Sequence, residues 1–430
     1  MNLLPITVPT SAELLLKDPD LPVWMRRAFR GTDWGALLAL AFSILISWSF
    51  VVQSGVTGGT ALERSIFRTA DTAEALVEGR MYPRWSPYVM GGIGAPIAHY
   101  LPPLPAYFPA VIDALFVEDP ALAVRIAALA ALTIGAAAAY AFTARRLGGS
   151  AALIASLLYT FSPTVGIIVP HLQGDLTHIF THALLPVFLW AFDGSLTLGR
   201  RIDLTVLILS GSALILTDPL WYVVGILLIF PLILPAVTKY TRLTLRTALL
   251  GVLVCGGLSA FYWLPALVEH DMAVWLKALP STTPTITLGG LLSGFPLLDR
   301  RAMQPIYPHA LGVSLLAFLG LSLPFLLRSK AHAVQQIYGA LGVIGALILV
   351  TLIPDQTHLL GVVVLCLSIA GSSAIEWREW LPVKAQRLVL PFLVGVLLIG
   401  AIPVWLTPPA EATRIDFSPE AQIAFEQAGF

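Results

Sequence analysis

Apolar runs of about 20 residues recur along the chain between short polar turns, a spacing that predicts membrane-length helices. Such runs cover residues 34–56, 120–143, 151–170, 178–196, 204–217, 219–237, 248–268, 310–327, 334–353, 358–375 and 388–406. The expected fold is an all-α polytopic transmembrane helical bundle of about eleven spans. Residues 101–117 are apolar too, but Pro102, Pro103, Pro105 and Pro109 crowd the segment. Each proline removes a backbone donor, so no regular helix is expected in the first half and the segment is placed in the membrane interface.

The longest polar interruption, residues 57–119, follows directly on the first run, and loops of that length are usually functional. Residues 63–79 have helical period: Ile66, Ala70, Ala73 and Val77 form an apolar stripe, while Arg64, Arg68, Asp71, Glu74 and Glu78 follow the other side. This predicts an interfacial helix whose acids face water or a cavity. The same spacing is satisfied by an exposed Arg68–Asp71 ion pair worth under ~1 kcal/mol. Tyr82-Pro83-Arg84-Trp85 follows and suits a loop pinned at headgroup level, with Arg84 either gripping a phosphate or snorkelling to lipid. Gly91, Gly92 and Gly94 allow positive φ or a close backbone approach.

Composition supports the membrane reading: 57% of residues are apolar and 12% charged, against roughly 45–50% and 25% in soluble domains. The basic residues then orient the bundle. With 101–117 kept out of the span count, sixteen of the 25 lysines and arginines fall on one face and nine on the other. The positive-inside rule therefore puts the N-terminus inside and the C-terminus outside. The same arrangement places seventeen of the 25 acids outside. It divides the chain into a cytoplasmic segment 1–33, a transmembrane domain 34–406 with external loops 57–119 and 269–309, and a short external tail 407–430. Lys17, Arg26, Arg27 and Arg30 make the leading segment too charged for a signal peptide, so the first run is expected to be a retained span. Zero net charge offers nothing to nucleic acid. Cys255 and Cys366 both lie in apolar runs and suggest neither a disulfide nor a thiolate site. No internal repeat supports a transporter of the inverted-repeat type.

Three more polar clusters lie at the predicted outer ends of spans. In Pro170-His171-Leu172-Gln173-Gly174-Asp175-Leu176-Thr177-His178, Asp175 either caps the next helix or joins His171 and His178 in a binding site. Asp218 before Pro219 is a helix-start signal, yet it shares the external face with Asp71 and Asp175. Glu269, His270 and Asp271 follow the aromatic run 260–265 and offer a general base or ligand. Lys277, Arg300 and Arg301 are external cations that can meet a phosphate. No nucleotide-binding, zinc-protease or serine-hydrolase motif occurs.

Several of these landmarks occur in order: Asp71; Gly79, Tyr82, Pro83, Arg84 and Trp85; Tyr100 with Pro102 to Pro105; Arg145 to Gly148; Gly174 and Asp175; and Ala260 to Pro265. Their order resembles bacterial multispanning proteins of the GT-C glycosyltransferase superfamily, especially the membrane proteins labelled as related to 6-pyruvoyl-tetrahydropterin synthase. The resemblance implies a bacterial cytoplasmic membrane enzyme. It would move a sugar from a polyprenyl-phosphate donor to an external acceptor, with inversion. It gives Asp71 the role of base or metal-orienting carboxylate and Asp175 that of second acid. Arg84, Trp85, Glu74, His178, Asp218, Glu269, His270, Lys277 and Arg300 are candidate substrate contacts. No cofactor is required by the sequence; a divalent metal, Mg or Mn, if present, would be held by Asp71, Asp175 and His178. The alternatives are a non-catalytic membrane subunit or inactive homologue, and a transporter or flippase for a lipid-linked substrate.

Overall fold

A computed structural model describes residues 33–52, 60–89, 92–239, 242–269, 286–293, 298–299, 304–305, 309–328, 333–353 and 356–406. The described residues are almost wholly helical. Helix α1 (Trp34–Val52) leads to α2 (Thr60–Val77), a four-residue turn α3 (Ile97–Tyr100) and α4 (Leu104–Ile112) with a π-helical extension Asp113–Val117. Then come α5 (Pro120–Leu147), α6 (Gly149–Thr160), the π-helical Thr164–Gln173, α7 (Leu176–Thr197), α8 (Arg201–Thr217), α9 (Pro219–Lys239), α10 (Arg242–Leu258) and α11 (Ala260–Val268). A short α12 (Leu288–Leu291) and a two-residue ladder of β1 (Leu298–Asp299) with β2 (Gln304–Pro305) precede α13 (Val313–Arg328), α14 (Ala333–Thr351), α15 (Leu360–Gly371) and α16 (Val383–Leu406).

Every apolar run of the sequence therefore carries a helix or a broken helix. Among the described residues five helical segments are long and apolar enough to cross a membrane: Pro120–Leu147, Gly149–His171, Leu176–Thr197, Ala333–Thr351 and Thr357–Trp380. A sixth is formed if Leu243–Leu258 and Ala260–Val268, bent by 61° at their junction, count as one. Local chemistry explains that bend in what the sequence predicts as a straight span. Gly256 and Gly257 weaken the last turn of α10, the Ser259 hydroxyl donates to the Cys255 carbonyl at 2.7 Å, and the Trp263 indole N–H takes the Gly256 carbonyl at 2.9 Å.

Helix α7 packs against both α5 and α8, α6 packs on α5 and α15, and α14 closes over α15. Leu185, Phe188, Leu189, Ala191 and Phe192 of α7 are completely enclosed. The close approach of α5 to α7 depends on small residues, because a Cβ at Gly135 would stand 3.1 Å from the Ala183 Cα. At the far end of α7 from Asp175, Asp193 and Asp203 are buried against Arg145 and Arg146. Two of the basic residues that orient the chain by charge count are thus packed into an ion network.

Two local expectations are corrected. Residues 101–117 do form a regular helix early on, because Pro103 is the N-cap of α4 and Pro105 sits in its first turn, where no amide is needed; only Pro109 falls inside. On α2 the buried positions are Leu62, Thr69, Thr72, Ala73 and Ala75, while Val77 is 75% exposed. The buried face is thus rotated from the predicted stripe, and Arg68 and Asp71 are carried into half-buried positions.

Candidate functional site

A pocket opens beside α2, lined by Arg68, Asp71, Thr72, Ser86, Ile97, Ala98, Pro103, Ala106 and Tyr107. Asp71 and Arg68 lie three residues apart on that helix and so share a face. They do not form the surface ion pair that the spacing allows. Arg68 instead reaches 34 residues along the chain to donate from Nη2 to the Pro102 carbonyl at 2.6 Å. Burial lowers its pKa to about 10, and the Tyr262, Asp175 and Asp71 side chains act in the opposite direction. At neutral pH the guanidinium is charged and feels both carboxylates. Burial raises the Asp71 pKa above the usual aspartate value, an effect strengthened by Glu74 and opposed by the Ser86 hydroxyl, Arg80 and Arg68.

The loop after α2 is folded back by glycine. Gly92 and Gly94 adopt φ of 88° and 81°, conformations that favour glycine. Ser86 and Ala95 then exchange two backbone hydrogen bonds of 2.9 and 3.0 Å. Of the loop residues singled out by sequence, Arg84 is exposed and lies 5.4 Å from the Tyr82 ring centroid. Trp85 is 52% exposed, its indole laid against Gly94. Glu74 accepts from the Tyr88 hydroxyl at 2.7 Å on the open surface. None of these three lines the Asp71 pocket.

Asp175 caps α7, its Oδ1 accepting from the Thr177 and His178 amides at 2.9 and 3.4 Å. Gly174, at φ 65°, ends the π-helical turn and prevents His171 from continuing into the same helix as His178. His178 Nδ1 lies 3.3 Å from Asp175 Oδ2, and its ring stacks on His358 at 5.0 Å and 2°. Asp218 caps α9 through the Leu220 amide at 2.9 Å. Burial raises its pKa, and both the His178 and Asp175 side chains act on it. Asp71, Asp175, His178 and Asp218 thus lie toward one end of the bundle, with the Arg68 guanidinium feeling both Asp71 and Asp175.

The proposed metal set of Asp71, Asp175 and His178 is not assembled as one. Among the described residues no group of three or more His, Cys, Asp and Glu side chains is placed to hold an ion. The positive charge that acts on both Asp71 and Asp175 is the Arg68 guanidinium. His270, Lys277 and Arg300 lie outside the described residues.

Pairings that local pattern did not reveal tie the loop to the bundle, one of them through Glu269, a candidate named from the sequence. His99 is buried, and its Nε2 meets Glu269 Oε2 at 3.0 Å. The Tyr262 hydroxyl donates to the Tyr100 carbonyl at 3.4 Å, and that of Tyr107 to the Met81 carbonyl at 3.0 Å. These partners are 26 to 170 residues apart, which is why no local signal reveals them. Because Glu269 is 45% exposed, Glu269→Ala is expected to cost under ~1 kcal/mol of global stability. It should nevertheless speed limited proteolysis between residues 92 and 103. Unchanged cleavage would show that the pair does not hold the loop.

A helical bundle with membrane-length spans and an acidic, arginine-bearing pocket at one end defines an integral membrane protein. The family model for the 6-pyruvoyl-tetrahydropterin synthase related domain, described as a membrane protein, matches residues 98–407, and the chain belongs to that family. No curated protein sequence matches it. Similar solved structures include an Archaeoglobus fulgidus oligosaccharyltransferase tethered to an acceptor peptide containing the NVT sequon, at 13% identity and a TM-score of 0.49; the match covers 88% of this chain and 55% of that one. Another is AglB from the same organism with an inhibitory peptide and a dolichol-phosphate, at 14% identity and 0.48, covering 92% and 56%. A third is the oligosaccharyltransferase with Zn and sulfate, at 13% identity and 0.45, covering 86% and 52%. The chain thus spans a little over half the length of these proteins.

Proposed function

We propose that this protein is a membrane glycosyltransferase that moves a sugar from a polyprenyl-phosphate donor to an acceptor hydroxyl at the external face, with inversion. The observation that carries the reading is the half-buried Asp71 carboxylate sharing a pocket with the Arg68 guanidinium, which also feels Asp175. Displacement at an anomeric carbon needs a base for the acceptor and a cation for the departing phosphate. Asp71 takes the acceptor proton as the acceptor oxygen bonds to the anomeric carbon. The bond from that carbon to the phosphate oxygen breaks, and its electron pair leaves on the phosphate beside Arg68. Asp175 is the second acid and steadies Arg68. Arg84, Trp85, Glu74, His178, Asp218, Glu269, His270, Lys277 and Arg300 are the candidate substrate contacts.

The orientation that suits this chemistry has about eleven spans, counting the shorter and bent helices, with the N-terminus inside and the C-terminus outside a bacterial cytoplasmic membrane. The sixteen-to-nine division of basic residues supports it. It brings the Asp71 end to the leaflet where a lipid-borne sugar would be met. The test is to incubate the purified protein with a panel of radiolabelled polyprenyl-phosphate sugars and candidate acceptors. Time-dependent transfer with release of polyprenyl phosphate is expected. A donor that binds without being consumed, across acceptors and over hours, would favour the non-catalytic subunit.

A further inference from the structure

The Gly-rich loop after α2 invites attention for Arg84 and Trp85, yet its pocket-lining residue is Ser86. Side chains alternate across an extended pair, and the exposures follow: Trp85 is 52% exposed and Ser86 only 3%. Both backbone groups of Ser86 are engaged by Ala95, which leaves the side-chain rotor as its one freedom. The turn that creates this pairing is closed by the Gly94 amide on the Val89 carbonyl at 3.0 Å. Gly94 is doubly constrained, by its φ of 81° and by the Trp85 indole, whose Cε2 would lie 2.8 Å from an added Cβ.

We propose that Ser86 is a positioning residue for Asp71: its hydroxyl donates to the carboxylate and holds the second oxygen free for the acceptor. The loop is then a device for delivering one hydroxyl, with Trp85 seated on Gly94 as its outer brace. A buried hydroxyl requires a partner, and in this pocket the carboxylate is the strongest acceptor. The direction in which Ser86 moves the Asp71 pKa agrees with a hydroxyl donating to the ionised form. This inference rests on reading the pocket as the transfer site, so its test includes a measurement that needs no activity.

Purified wild type, Ser86→Ala and Ser86→Thr are treated with a carbodiimide at fixed pH, and modification of Asp71 is followed by peptide mass spectrometry alongside sugar transfer. Loss of one hydrogen bond to a charged group is expected to make Asp71 label faster in Ser86→Ala by on the order of 10-fold. kcat should fall by about 10- to 100-fold with little change in donor KM, and threonine should restore both. Gly94→Ala, which moves the loop without touching the pocket, is expected to reproduce the alanine behaviour. Unchanged kcat in Ser86→Ala, in a wild type that transfers sugar, overturns the positioning role and leaves the transferase standing. Faster labelling in Ser86→Ala with no transfer by any of the proteins supports the contact and removes the transferase. Equal labelling of all three overturns the contact itself.

Discussion

Asp71→Asn is expected to lower sugar transfer by about 10²- to 10⁴-fold, the usual worth of a positioned base. Asparagine keeps the shape of the side chain and its neighbours in the pocket but cannot take the acceptor proton. The loss should therefore fall on kcat, while donor binding, made mostly through the phosphate and lipid, stays close to wild type. The wild-type pH profile supplies a second reading of the same residue. Burial raises the Asp71 pKa, and the ionised form is the active one. Activity is then present above that raised pKa and lost as the pH falls through it, with the acid limb lying above the range of an ordinary exposed aspartate. Steady-state kinetics from acid to neutral pH would check both. Equal kcat in the two proteins would remove Asp71 from the chemistry.

The largest effect on stability is expected at the opposite end of α7. Asp193 lies 18 residues after Asp175 along that helix, which at 1.5 Å per residue is roughly 27 Å. Its carboxylate is fully buried and accepts from Arg146 Nε at 2.7 Å and also from Nη2 of the same guanidinium. Arg145 stands 3.6 Å from Asp193 and 3.9 Å from Asp203, donates from Nη1 to the Trp190 carbonyl at 2.8 Å, and lies 5.2 Å from the Trp190 ring centroid. Removing one member of a buried network leaves its partner uncompensated, at a cost of about 3–5 kcal/mol. Asp193→Ala should unfold at a much lower temperature in detergent. Arg80→Ala serves as the contrast, since it breaks only the exposed pair with Glu78 and should cost under ~1 kcal/mol. If both variants melt alike, the Asp193 network is not what holds α5, α7 and α8 together at that end.

The positions of the helices were legible in the sequence because burial in a bilayer demands long apolar runs, a signal contained in each run. The capping aspartates were legible for a similar reason. Asp175 and Asp218 act on amides two and three residues ahead, within the reach of local pattern, as does the need for glycine at positions 92 and 94. The candidate acids were visible as acids, but not the cation that joins two of them. Arg84 drew attention through its aromatic neighbours, whereas Arg68 holds the place by the rotation of α2 about its own axis. That rotation is decided by packing against α4 and α5, not by the stripe of Ile66, Ala70, Ala73 and Val77.

By itself, then, the sequence determined a helical membrane protein, the stretches that carry most of its apolar helices, and a long loop after the first helix that carries acids. Each of these depends on interactions within a few residues or on transfer from water to lipid. Only the tertiary structure decided that Ser86 and not Trp85 lines the pocket, that Arg68 lies close to both Asp71 and Asp175, that His99 meets Glu269, and that α10 and α11 break at 61°. These depend on contacts between residues distant in the chain, whose geometry is set by how helices cross and which small residues let them approach, and no local periodicity carries that information.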